Sequence, residues 1–261
     1  MARLTIDGKG AEAAEGASVL DAARQVGIDI PTFCHHRALG PFGACRLCIV
    51  EVEGPDLPRT VLPACTLPAS DGLVIESDTE RLRTYRKTIV QLLVSSLPST
   101  EALTRLAQRF GVTVPPFAND RPDACALCGL CVRACRDRIG ARALAFRGDE
   151  TRQRSVAERV VLDSAACIGC GTCAVLCPVD AIAVEDRGVE RQVYLYGVLA
   201  SRLELVPCAA CGRPHATRRF QDLVRSRLDA AQQRAPQDLC PTCARERHAV
   251  ALSGTALGLQ D

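Results

Sequence analysis

Sixteen cysteines in a chain of 261 residues set the chemistry open to this protein. They fall into four groups with the spacing of metal ligands, and none is left over. The two central groups are Cys125, Cys128, Cys131, Cys135 and Cys167, Cys170, Cys173, Cys177. Each reads C-x2-C-x2-C-x3-C, and they start 42 residues apart. That spacing suits two [4Fe–4S] cubanes. Three thiolates at two-residue intervals wrap one side of a compact body. The glycines between them (Gly129, Gly169, Gly171) let backbone N–H groups approach the sulfides. In paired runs the fourth cysteine ligates the other cluster. Cys125, Cys128, Cys131 and Cys177 are therefore expected on one cluster, and Cys135, Cys167, Cys170 and Cys173 on the other. The fourth cysteine of each run is expected to begin a helix leading to the other cluster. Zinc knuckles or disulfides compete with this reading. Zinc pairs, however, are C-x2-C with a long gap before the next pair, and a third cysteine three residues on is hard to seat in one tetrahedron.

The spacing of these runs is that of bacterial ferredoxins, and the second also has their C-P ending at Pro178; the first has Arg136 there. The first group of the chain, Cys34, Cys45, Cys48 and Cys65, reads C-x10-C-x2-C-x16-C. Four thiolates on loops rich in Gly, Pro and Ala suit a [2Fe–2S] rhombus, each iron taking two of them. Gly40 and Gly43 let the backbone curl around the sulfides. Arg46, between two ligands, is expected to favour the reduced cluster and raise its potential. His35 and His36 are expected to be exposed loop residues. The segment PTFCHHRALGPFGACRLCIVEVEG with the later PACT resembles the N-terminal domain of the large iron–sulfur subunit of NADH dehydrogenases, which NAD-linked hydrogenases and formate dehydrogenases share. GARALAFRG and AIAVEDRG extend the resemblance to about residue 190. Those relatives carry an H-x3-C-x2-C-x5-C cluster, yet here no Cys or His lies between Cys65 and Cys125. One relay station is missing.

The last group is Cys208, Cys211, Cys240 and Cys243, as C-x2-C-x28-C-P-x-C. Two knuckles with a long insert make a zinc-ribbon-like site, a closed tetrahedron of four thiolates. A similar tail is found on ferredoxin-like subunits of formate hydrogenlyase-type complexes, which implies structural zinc; a rubredoxin-like iron could use the same ligands. His215 and His248 are surplus to the site and are expected on the surface.

Elements must carry these ligands. Arg3 to Asp7, Leu47 to Glu53, Thr60 to Ala64 and Leu73 to Glu76 read as strands. Ser18 with Asp21 forms a capping box ahead of a helix that stops at Gly27, with Leu20, Ala23 and Val26 buried. This is a β-grasp layout. A helix from Thr79 to about Leu97 carries Leu82, Tyr85, Ile89, Leu92 and Leu93 on one stripe and ends at Pro98. Ser99 caps a second helix closed by Gly111, and a Pro-rich linker follows. Ala143 to Phe146 and Ala181 to Val184 read as short strands after the two cysteine runs, and the polar stretch 147–159 as a surface hairpin. Residues 193–208 read as a strand or two. Phe220, Leu223, Val224 and Leu228 recur at helical spacing. The fold class is α+β: a [2Fe–2S] domain over 1–78, a helical linker over 79–117, a dicluster [4Fe–4S] domain over 118–190 and a zinc-binding module over 191–261.

The rest of the composition narrows function. Sixteen cysteines need metals to hold them in a reducing compartment. The N-terminal MARLTIDGKG lacks a signal sequence, and no apolar run approaches the length of a membrane span; the expected location is the cytoplasm. A net charge of +2 argues against a dedicated nucleic-acid binder. Arginine outnumbers lysine 30 to 2, which base composition of the genome explains without a function. No G-x-G-x-x-G follows a strand, no P-loop occurs, and no catalytic pair stands out. The chain reads as a non-catalytic electron-transfer subunit with one [2Fe–2S], two [4Fe–4S] and one zinc. Its expected partners are a flavoprotein that binds NAD(P)H and a catalytic subunit of hydrogenase or formate dehydrogenase type. A bifurcating or ferredoxin-linked complex with another substrate is the alternative within redox proteins, and a zinc-only or nucleic-acid module the alternative outside them.

Overall fold

The structure is a computed structural model that describes residues 1–97, 99–113, 125–148, 157–229 and 238–256. Strands β1 (Ala2–Ile6) and β2 (Lys9–Ala13) form an antiparallel hairpin. Its turn is Asp7-Gly8, with φ of 47° and 77°, the pair that tight hairpins prefer because both central residues need left-handed backbone. Apolar alternation does not mark β2, whose buried residues are only Ala11 and Ala13. Helix α1 (Val19–Gln25) starts at the expected capping box: Ser18 Oγ accepts from Asp21 N, and the Asp21 carboxylate accepts from Ser18 N, both at 3.2 Å. Strands β3 (Ile49–Gly54), β4 (Leu57–Pro63) and β5 (Val74–Glu76) complete a sheet ordered β2-β1-β5-β3-β4. The β1–β5 pair is parallel and the other pairs antiparallel. Leu20 and Ala23 of α1 share a core with Ile6, Val50, Val52 and Ile75. This is the expected β-grasp.

Helix α2 (Glu80–Ser96) is capped by Thr79, whose hydroxyl accepts from Leu82 N. Its buried residues are Leu82, Arg86, Val90 and Val94. The expected stripe is corrected here: Tyr85 and Leu92 are 41% and 65% exposed. The inward row follows strict four-residue steps and passes through Arg86, an inward position that apolar spacing cannot mark. Arg86 is 3% exposed and donates to three backbone carbonyls, Leu47 O (3.2 Å), Ser77 O (2.8 Å) and Ile49 O (2.6 Å). It thereby staples α2 to the start of β3, beside Cys48. Helix α3 (Glu101–Arg109) is capped by Thr100 rather than Ser99, and Gly111 closes it at φ 58°. Thr100 Oγ1 accepts from Leu103 N and donates to Pro178 O at 3.0 Å. The pair α2/α3 shares a core with Leu47 of the first domain and with Val179 and Ala181 after the second cysteine run. Pro98 and most of the Pro-rich linker lie outside the described residues.

Helix α4 (Leu130–Arg133) runs on as a π-helical turn, Ala134–Ile139. Strands β6 (Leu144–Gly148) and β7 (Ala157–Leu162) pair antiparallel, as the hairpin reading of this stretch requires; its middle lies outside the described residues. Helix α5 (Thr172–Val175) is one turn. The fourth cysteines do not begin helices: Cys135 lies inside the helix that starts at Leu130, and Cys177 follows α5. The turns begin instead where Gly129 and Gly171 adopt φ of 70° and 77°. Strands β8 (Ile182–Arg187), β9 (Glu190–Leu195), β10 (Val198–Pro207) and β11 (Pro214–Thr217) make a meander ordered β11-β10-β9-β8. This sheet runs through residues 190 and 191, so the backbone after the second cysteine run and the C-terminal module share one sheet. Helices α6 (Arg218–Arg227) and α7 (Pro241–Ala256) follow. Phe220, Leu223, Val224 and Leu228 are half-buried, as helical spacing suggested, and only Gln221 of α6 is fully buried. Among the described residues no helix is long and apolar enough to cross a membrane.

Candidate metal centres

The loop between α1 and β3 carries Cys34, Cys45 and Cys48, and the turn after β4 brings Cys65 to them. Cys34, Cys48 and Cys65 are each about 1% exposed. Cys45 N donates to Cys34 Sγ at 3.4 Å. The thiols act on one another in two pairs. A hydrogen bond from Cys34 holds Cys45 down to about 6 and pushes Cys34 up. A hydrogen bond from Cys48 holds Cys65 down to about 7 and pushes Cys48 up. Cys34 with Cys45 and Cys48 with Cys65 are thus hydrogen-bonded thiol pairs. Arg46 is exposed, with φ 57°. His35 and His36 are half-buried rather than exposed, because the loop folds back on α1: His35 Nε2 lies 2.9 Å from Arg24 Nη1.

Two further cavities gather the central cysteines in crossed sets. One is lined by Cys125, Cys128, Cys131 and Cys177, the other by Cys135, Cys167, Cys170 and Cys173. Their volumes are similar, ≈ 370 and ≈ 400 Å³. The remaining lining is mostly apolar, with Val160, Val179 and Ile182 in the first and Leu144, Val184 and Val193 in the second. Burial first, and then the neighbouring thiols of the same cavity, push the Cys128 thiol up to about 11 and Cys173 up to about 12. Buried thiols that crowd one another resist ionisation, and a multiply charged metal core would remove that penalty. The donor set and the space therefore fit iron–sulfur clusters.

The first cavity and the [2Fe–2S] loop abut. Cys34 and Leu39 share a small buried core with Cys128, Leu130 and Ala134. Arg133, between two ligands of the dicluster domain and 4% exposed, crosses this junction. Its Nη2 donates to Cys34 O at 2.5 Å and its Nη1 to Gly40 O, while Nε donates to Gly129 O at 3.3 Å. The guanidinium lies 5.0 Å from the centre of the Phe42 ring. Phe42 also covers Gly129, where an added Cβ would stand 2.8 Å from the ring. Sequence reading missed Arg133, which looks like any of 30 arginines; its place two residues after Cys131 was the available signal.

The last four cysteines also converge. The Sγ atoms of Cys208, Cys211, Cys240 and Cys243 all lie within 4.8 Å of one another. Cys211 and Cys240 are 3.9 Å apart, against about 3.8 Å for the edge of a tetrahedron with ~2.3 Å bonds. Cys240 N donates to Cys208 Sγ at 3.2 Å, and this with the Cys211 N–H holds Cys208 down to about 6. The set fits one tetrahedral ion. His248 is exposed, as expected; His215 is half-buried, with Nδ1 enclosed.

A family described as a 2Fe-2S iron-sulfur cluster binding domain matches residues 1–80, and one described as a 4Fe-4S dicluster domain matches 124–181. The alpha subunit of the NADPH-Fe(3+) oxidoreductase of Geobacter sulfurreducens is 31% identical over 204 residues, which cover 68% of this chain and 23% of that protein. A subunit of the NADH-quinone oxidoreductase of Rhizobium meliloti is 30% identical over 210 residues, covering 70% and 24%. The chain thus spans about a quarter of the length of these curated relatives. A chain in the crystal structure of an NAD+-reducing [NiFe]-hydrogenase in the H2-reduced state is similar with a TM-score of 0.53 and 32% identity, over 63% of this chain and 76% of that one. With a 2Fe-2S domain followed by a 4Fe-4S dicluster domain, the chain belongs to the iron–sulfur electron-transfer subunits homologous to those of NADH dehydrogenases and NAD-reducing hydrogenases.

Proposed function

We propose that this chain relays single electrons between a flavoprotein that binds NAD(P)H and a catalytic subunit of hydrogenase or formate dehydrogenase type. In this reading Cys34, Cys45, Cys48 and Cys65 hold one [2Fe–2S] cluster, Cys34 and Cys45 on one iron and Cys48 and Cys65 on the other. Cys125, Cys128, Cys131 and Cys177 hold one [4Fe–4S] cluster, and Cys135, Cys167, Cys170 and Cys173 hold the second. Cys208, Cys211, Cys240 and Cys243 hold a zinc ion, since four thiolates in a closed tetrahedron make a structural site; iron is the competitor for the same ligands. Bound clusters supply the one-electron chemistry that amino-acid side chains lack.

The observation that carries the reading is the shared core of Cys34 and Cys128. Ligands from two cluster sites meet there across apolar side chains, and Arg133 is the bridging charge. The protein's part is to hold the sites close, keep water away and place a fixed cation beside thiolates whose charge rises on reduction. Burial in an apolar core also limits the reorganisation that a charge change would demand of water. A reducing cytoplasm suits a chain whose sixteen cysteines all sit in ligand sets.

Anaerobic purification of the intact complex from its host tests the proposal. A flavoprotein and a hydrogenase or dehydrogenase should co-purify, and NADH or NADPH should bleach the visible absorption of this chain only when the flavoprotein is present. If the chain purifies alone, and stays oxidised when NAD(P)H and the host's soluble flavoproteins are added, the relay assignment is wrong.

A further inference from the structure

The C-terminal module lies against one cysteine loop of the dicluster domain, and its contacts go to the backbone. Thr217, the last residue of β11 and fully buried, donates its hydroxyl to Ile168 O. Two residues on, Arg219 Nη1 donates to Ser164 O (2.6 Å), Ala165 O (3.0 Å) and Cys167 O (3.1 Å). Arg191 of β9 donates to Gly169 O at 2.9 Å and is itself braced by Asp186 at 2.7 Å. Five carbonyls between Ser164 and Gly169 are thus engaged from one side. This stretch carries Cys167 and leads to Cys170.

The fit leaves no room. Gly169 has φ 67°, and a Cβ there would stand 2.9 Å from Thr217 Cγ2 and 3.2 Å from Leu203 Cδ1. The loop is therefore pressed against β10 and β11. On its other side Asp163 accepts from the N–H groups of Ala165, Ala166 and Cys167, and the Gly169 N–H bonds the Cys167 sulfur.

The four C-terminal cysteines fasten the element that makes these contacts. Cys208 and Cys211 form the turn between β10 and β11, closed by Cys208 N donating to Arg213 O at 2.9 Å. Cys240 and Cys243 open α7. The two knuckles are joined by Ala209 N donating to Asp238 O at 2.9 Å. An ion on the four thiolates would lock the hairpin turn to α7; the hairpin carries Thr217 and leads directly into α6, which carries Arg219.

We propose that the C-terminal tetrathiolate module is a clamp for the second [4Fe–4S] site: its metal fixes the β10–β11 hairpin, and Thr217 and Arg219 hold the Ser164–Ile168 carbonyls so that the loop stays closed on the cluster. These are positioning residues, and the first [4Fe–4S] and the [2Fe–2S] sites lie outside their reach. The inference rests on the cluster assignment proposed above and deepens it by giving the tetrathiolate site a target.

The test uses the full chain purified without oxygen. The paramagnetic signal of the reduced second cluster is identified as the one lost in Cys173→Ser. Wild-type protein, a Thr217→Val/Arg219→Gln double variant, Arg219→Lys and Cys243→Ser are then challenged with an iron chelator, and the loss of each cluster signal is timed. The double variant keeps all sixteen cysteines, so it reports even if Cys243→Ser does not fold. The expected result is second-cluster loss at least about tenfold faster in the double variant, as removal of charge-assisted hydrogen bonds implies, with the other two signals decaying as in wild type. Cys243→Ser should share that pattern, and Arg219→Lys, which keeps the charge, should lie between. Equal second-cluster rates in wild type and the double variant overturn the clamp, as does equal acceleration of all three clusters. Wild-type protein without [4Fe–4S] signals would instead overturn the cluster assignment, a distinguishable result.

Discussion

Arg133 is a buried cation within reach of two cysteine sets. Its guanidinium donates to Cys34 O and Gly40 O in one domain and to Gly129 O in the other. A hydrogen bond from a charged group contributes about 1.5–3 kcal/mol, and a buried carbonyl left unpaired costs a comparable amount. Arg133→Gln should therefore lower unfolding stability by at least about 2 kcal/mol, measured by thermal denaturation under anaerobic conditions. It should also lower the midpoint potentials of the [2Fe–2S] and first [4Fe–4S] clusters, because the cation favours their reduced forms; redox-titrated paramagnetic resonance reads this. Arg46→Ala should move only the [2Fe–2S] potential downward, and by less, since Arg46 is exposed and its field is screened. Unmoved potentials in Arg133→Gln would remove the electrostatic role and leave only a structural one. The grouping of the cysteines was legible in the sequence, because thiolate spacing follows the shape of the body it must wrap. Arg133, Thr217 and Arg219 were not, because each acts on backbone carbonyls distant in sequence, and no local pattern encodes such a partner.

The elements between the cysteine groups act as struts. Glu51 on β3 joins three of them: Arg59 of β4 donates to it at 2.5 Å, Thr79 at the cap of α2 donates at 2.8 Å, and Arg59 also reaches Glu76 of β5. Arg59 first, and then Thr79, hold the Glu51 carboxyl below the usual carboxylate range. A depressed pKa means that the unfolded state takes up the proton first. The contribution is whole above the ordinary value of about 4.3 and fades as pH falls through the lowered one. Glu51→Gln should thus lower the melting temperature at pH 7, and the gap to wild type should close below about pH 4; a gap that persists there contradicts the linkage. Thr100 both caps α3 and donates to Pro178 O, beside Cys177. Thr100→Ala should cost about 1–2 kcal/mol, and Thr100→Ser should restore most of it, read from denaturant midpoints. Capping residues and helix limits were mostly legible here, as Ser18 and Thr79 attest. The cap of α3 was misplaced by one residue because Ser99 and Thr100 are both competent and only the tertiary contact to Pro178 separates them. The inward face of α2 was misread because Arg86 occupies an apolar row.

At the scale of the whole molecule, three cysteine-bearing regions share two buried junctions. One joins Cys34 to Cys128, and the other lays the C-terminal module on the loop around Cys167. The β-grasp and dicluster layouts were legible from strand alternation and the repeated cysteine run. The meander β8–β11 was not, because its strands straddle what composition suggests is a module boundary. The account stands on the crossed assignment of cysteines to a chain of three clusters. Its most direct test is anaerobic metal analysis of the purified chain together with a redox titration followed by paramagnetic resonance. The account predicts about ten irons and one further metal ion, zinc, per chain, with three separately reducible signals whose line shapes broaden as neighbouring clusters become reduced together. A colourless protein holding only zinc, or a single signal with iron to match, would contradict it.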